Sequence, residues 1–114
     1  MNWDLNGLME RLEGDRDFLL ELLVMFQQDV WSNLEKSRLA LAGGELEELS
    51  RVAHTMKGML RNLSMSAAGQ SAAALETAAR EGHAEECRQL LVQLSLQLES
   101  ILPEVEAQLA EVKS

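Results

Sequence analysis

The chain has a single cysteine, Cys87, which excludes an internal disulfide framework and fits a reducing compartment. No apolar run is long enough to cross a bilayer. The opening residues Met1, Asn2, Trp3 and Asp4 lack the basic start and apolar core of a secretory signal, so the cytoplasm is the expected location. Positive charge is scarce: 10 Lys and Arg against 19 Asp and Glu leave a net charge of -9. That balance argues against a general nucleic-acid binder, which needs a cationic surface to displace phosphate counterions. There is no glycine-rich phosphate loop of the Walker type and no nucleotide-binding constellation. Two histidines and one cysteine at distant positions give no metal-ligand spacing. Strand-like alternation, low-complexity segments and strong internal repeats are missing too.

What is present is helical periodicity. The 114 residues, 46% hydrophobic, suit one domain able to bury a core without disulfides or a structural metal. Trp3, Leu5, Leu8, Met9 and Leu12 predict a short amphipathic segment closed by Gly14. Asp15 then caps a long helix with apolar positions at Phe18, Leu19, Leu22, Leu23, Phe26, Val30, Leu34 and Leu41, stopped by Gly43 and Gly44. A third element, from about Glu45 to Asn62, repeats apolar residues at alternating spacings of three and four. Ser64 or Ser66 is expected to cap an alanine-rich fourth helix that runs to Gly82 and lets a neighbouring backbone approach closely. The last pattern carries Cys87, Leu91, Leu94, Leu98, Ile101, Val105, Leu109 and Val112, with Pro103 expected to bend it or divide it in two. Trp3, Trp31 and Cys87 read as packing residues, and His83 as a cap or a surface residue. The fold class is therefore all-α: an antiparallel four-helix bundle with a short additional N-terminal helix, read as a monomer.

On a helical wheel of roughly 100° per residue, Leu46, Leu49, Val52, Ala53, Met56, Met59, Leu60 and Leu63 form one arc, and His54 lies nearly opposite its centre. Its face is shared with Glu47, Ser50, Arg51, Lys57, Gly58 and Arg61. Helical side chains tilt toward the N-terminus, so residue 58 would lean over the imidazole. It is a glycine, which costs a helix about 1 kcal/mol relative to alanine and clears the approach to a ring nitrogen; the alternative is that Gly58 permits close helix packing. Lys57 leans the same way, where a cation disfavours imidazolium and could contact a phosphoryl group carried on the ring. Arg51 and Arg61 extend the positive field toward an acidic partner pocket, or are ordinary solvated charges.

At these residues the chain resembles a family. His54, Thr55, Met56, Lys57 and Gly58 resemble the H-x-L-K-G core of histidine-containing phosphotransfer domains, with Met56 in the leucine place. Asn62 and Leu63 match later motif positions; Gly14, Asp15, Phe18, Leu19, Leu22 and Leu23 resemble the family's opening, as Leu75, Glu76, Ala78, Ala79 and Gly82 resemble its downstream part. The likeness covers about residues 4 to 110. It implies a helical bundle in which His54 carries a phosphoryl group, Lys57 is its electrostatic partner and Gly58 keeps access open. The group would come from a response-regulator receiver aspartate, or from a histidine kinase, and pass to another receiver aspartate. The receiver would supply the divalent cation; this chain would bind no cofactor and would not phosphorylate itself from ATP.

Met59 and Leu60 depart from the family's usual small residues, and Ser64 replaces a glycine. Met59 reshapes the docking surface expected around Arg51 and Arg61, and favours the alternative of a domain that docks without transferring phosphate. A plain structural bundle is the third reading. Glu76 resembles a position on the next helix where relatives hold a polar side chain near the ring: a carboxylate there orients the imidazole by accepting a hydrogen bond, or is simply solvent-exposed.

Overall fold

Two aspartates open the first two helices. Asp4 accepts a hydrogen bond from the Gly7 amide and starts α1, Leu5–Arg11; Asp15 accepts from the Phe18 amide and starts α2, Arg16–Ala42. Three further helices follow: α3, Leu46–Asn62, α4, Ser66–Arg80, and α5, Ala84–Lys113. The computed structural model describes residues 3–113. Met1 and Asn2 of the expected opening, and the side chain of Val112, lie outside the described residues. Gly14, Gly44 and Gly82 turn the chain at positive φ, the backbone region that glycine enters without penalty.

The four long helices close a ring in which α2 packs on α3, α3 on α4, α4 on α5, and α5 back on α2. Short connections make sequence neighbours antiparallel. One core runs through them, built from Leu19, Leu23, Phe26 and Leu34 of α2, Leu49, Met56 and Leu60 of α3, Ala72 and Leu75 of α4, and Leu94, Leu98 and Ile101 of α5. Cys87 is fully buried in it, and burial pushes its thiol pKa up, away from the reactive thiolate. The expected all-helical bundle is the observed one.

Some local expectations fail for identifiable reasons. Neither Ser64 nor Ser66 caps α4: Met65 occupies the cap position with no side-chain hydrogen bond. Ser64 instead takes up a left-handed backbone, φ 59°, and its hydroxyl accepts from Arg11 Nη2 at 2.6 Å. Pro103 does not divide the last helix, which is continuous through it. Pro103 and Glu99, whose carbonyl loses its usual partner, are both exposed, so water can serve that oxygen. Phe18 and Trp31 are not core residues; both are 45% exposed.

α1 finishes α3. The last carbonyls of a helix have no partner within it, and here Trp3 Nε1 donates to the Leu63 carbonyl at 2.8 Å, Arg11 Nη2 to the Asn62 carbonyl at 3.0 Å, and the Asp4 amide to the Ser64 carbonyl at 3.2 Å. Trp3 is buried as it does so. Replacing Trp3 with Phe keeps most of the apolar surface but strands a buried carbonyl, so the unfolding free energy in urea should fall by about 1–3 kcal/mol. An unchanged value would show that α1 contributes packing alone.

Candidate functional site

His54 stands near the middle of α3, on the side of the helix away from the core. Leu49, Val52, Ala53, Met56 and Leu60 are buried beneath it, while the His54 side chain is 66% exposed. The opposite condition holds for Glu76 on α4, whose side chain is 10% exposed. The two meet: His54 Nδ1 lies 2.9 Å from Glu76 Oε2. An ionised carboxylate only accepts hydrogen bonds, so a neutral ring must carry its proton on Nδ1 and keep its lone pair on Nε2.

The α4 sequence makes that meeting possible. Ala68, Gly69 and Ala72 are buried small residues that let the α4 backbone approach α3. A Cβ added at Gly69 would come within 3.3 Å of the Arg61 side chain. Ser50 donates from its hydroxyl to the Glu76 carbonyl at 3.3 Å and ties the two helices beside the site.

The carboxylate has two further partners. Lys57 Nζ holds Oε1 at 2.7 Å, and Arg80 Nη2 holds Oε2 at 3.0 Å. The hydrogen bond from the Lys57 ammonium keeps the Glu76 carboxyl below its ordinary pKa despite the opposing cost of burial, and the bond from His54 acts in the same direction. Glu76 is thus the hub of a four-residue network, and the solvent-exposed reading of this residue does not hold. Lys57 shares the Glu76 carboxylate with the ring, and its charge rests there.

Gly58 packs against nothing: an added Cβ would meet no atom within 4 Å. Close helix packing is therefore not its reason, and the space beside His54 is open. Arg51 is bound to Glu48 through both Nε and Nη2, which offsets much of the positive field expected from it. The same contact lowers the Glu48 pKa. Arg61 is exposed and has no ion pair among the described residues. Met59 is half-buried and lines a groove of about 260 Å³ between α2 and α3, with Leu22, Met25, Phe26 and Thr55 among its other walls.

Arg80 escaped the sequence reading. Its signal was there: a glutamate followed four residues later by an arginine on one helix is a favourable pair, but nothing in the sequence tied that pair to His54. Among the described residues no group of three histidine, cysteine or acidic side chains could hold a metal ion, and no helix is long and apolar enough to cross a membrane.

A ring of four helices that presents His54 to solvent, braced from the neighbouring helix by a buried carboxylate, is a scaffold built around an accessible imidazole. Residues 21–113 match the family profile of the Hpt domain. The chain belongs to that family, whose members act in phosphotransfer in two-component systems. Searches of curated proteins and of solved structures gave no match.

The lowered Glu76 pKa makes stability depend on pH. A carboxyl with a lower pKa folded than unfolded stabilises the fold above its unfolded pKa, ordinarily near 4.5, and loses that contribution as pH falls through the folded value. In urea denaturation the advantage of the wild type over Glu76→Gln should therefore shrink as pH is lowered from about 6 into the carboxylate range. A difference that stays constant across that range would contradict the charged network.

Proposed function

We propose that the protein is a phosphorelay intermediate that accepts a phosphoryl group on His54 and exchanges it with aspartate residues of response-regulator receiver domains. The observation that carries this reading is the His54–Glu76 contact, 2.9 Å from Nδ1 to Oε2, on an otherwise exposed ring. It leaves Nε2 as the nucleophile. In acceptance the Nε2 lone pair forms the N–P bond while the P–O bond to the receiver aspartate breaks, and that carboxylate leaves with the electron pair. The reverse reaction returns the group to an aspartate. Positioning and electrostatics supply most of what such a transfer requires.

Glu76 orients the ring. Lys57, whose Nζ already sits on the same carboxylate, is close enough in the network to turn toward phosphoryl oxygens once they are present. Gly58 leaves room for the partner's loops. The divalent cation belongs to the receiver, and a histidine kinase is an alternative donor. The protein works as a cytoplasmic monomer and has no kinase activity of its own.

Met59 and its groove support a role in docking, together with exposed Met25 at 57% and the cation of Arg61. The same groove favours the second reading, a domain that binds its signalling partner without receiving phosphate. Incubation with phosphorylated receivers separates them. Label should move to the wild type and not to His54→Gln, while His54→Gln still binds the receiver. Binding without label on the wild type would establish docking alone, and neither label nor binding would leave a structural bundle.

Gly58 offers a sharper test, because the two effects of an alanine there oppose each other. Gly58→Ala should raise the unfolding free energy by up to about 1 kcal/mol through helix propensity, yet slow phosphoryl acceptance by crowding the docked receiver. A variant both more stable and equally fast would show that the open space over His54 is not used.

A further inference from the structure

Arg80 forms and breaks no bond in the transfer itself. It stands one turn after Glu76 on α4, and its Nη2 donates to Oε2 at 3.0 Å, the oxygen that also accepts from His54 Nδ1 at 2.9 Å. Lys57 Nζ holds the other oxygen at 2.7 Å. One carboxylate therefore has two permanent cations as well as the imidazole. The other charged groups around the ring's face are Glu47, Arg61 and the Arg51–Glu48 pair on α3, with Lys36 of α2 acting on Glu48; α4 brings Glu76 and Arg80.

We propose that Arg80 is a positioning residue that keeps His54 Nε2 unprotonated, and so nucleophilic, near neutral pH by sharing Glu76 Oε2 with the ring. The proposal rests on the reading of His54 as phosphoryl acceptor. An ionised carboxylate beside an imidazole favours the doubly protonated ring, and a proton on Nε2 occupies the lone pair that must form the N–P bond. With Lys57 on Oε1 and Arg80 on Oε2, the carboxylate is neutralised by groups that do not titrate near pH 7, and the ring is needed only as a neutral Nδ1–H donor. Without Arg80, Oε2 has the imidazole as its remaining side-chain partner, and the pull toward imidazolium grows. The Arg80 side chain is 63% exposed, so the effect is screened and weakens with added salt. That exposure also means Arg80 can be replaced without opening the core.

The test combines Arg80→Ala and Arg80→Lys with wild-type and Glu76→Gln backgrounds. Two quantities are followed from about pH 5.5 to 8.5, the range in which imidazoles titrate: the His54 ring resonances in the unphosphorylated protein by NMR, and the initial rate of acceptance from a phosphorylated receiver. Arg80→Ala should move both the ring midpoint and the acid limb of the rate to higher pH by about half a unit, a roughly threefold lower rate on that limb, with the alkaline plateau unchanged. Arg80→Lys should restore the profile, and in the Glu76→Gln background Arg80→Ala should move it by clearly less than in the wild type. An unmoved midpoint with transfer intact overturns the role of Arg80. A plateau lowered equally in both backgrounds also overturns it, since that marks direct contact with the phosphoryl group. A moved midpoint with no transfer in any variant overturns the acceptor reading instead.

Discussion

The Glu76 carboxylate is the constraint on which the rest of the site depends. It is a charged group placed where only a tenth of its side chain meets solvent, and such a group is tolerated only when its oxygens are engaged. Lys57 and Arg80 engage them from two helices, and the same oxygens fix the proton of the His54 ring. Stability and reactivity are thus coupled through one side chain. Whatever neutralises Glu76 also sets which proton the neutral imidazole donates to it.

The bundle supplies the distances. Helix α4 carries the small residues Ala68, Gly69 and Ala72 where it meets α3, so the backbones approach closely enough for the Glu76 side chain to reach across. The arc of Leu49, Val52, Ala53, Met56 and Leu60 buries one face of α3 and thereby fixes the rotation that turns His54 outward. At its far end α3 is closed by α1 and the residues that lead into it, with Trp3 and Arg11 serving carbonyls that the helix leaves unpaired. The short leading helix, remote in sequence from His54, therefore holds in place the helix that carries it.

Much of this was legible in the sequence because it depends on period and punctuation. The long helices, the Asp15 cap, the turn at Gly43 and Gly44, and the outward direction of His54 follow from spacings within single segments. What could not be read lies between segments. Whether Glu76 met the ring or water depended on the separation and rotation of α3 and α4. Arg80 became part of the site only through Glu76, and Arg51 lost much of its expected field to Glu48. Ser64 misled because a serine before a helix usually caps it, whereas here the turn demands a left-handed backbone and Arg11 takes the hydroxyl. Trp31 misled because α2 is apolar over a wider arc than the core covers, leaving the indole on its outer side. Pro103 stays within the last helix, where it and Glu99, four residues before it, are both exposed.

If Glu76 holds the proton on Nδ1, a phosphoryl group accepted by His54 arrives on Nε2. Long-range proton–nitrogen and proton–phosphorus NMR correlations of the His54 ring, recorded before and after exposure to a phosphorylated receiver domain, read both atoms directly. The expected result is a protonated Nδ1 and an unprotonated Nε2 before transfer, and phosphorus coupled through Nε2 afterward. Phosphorus on Nδ1, or a resting ring with its proton on Nε2, would contradict it.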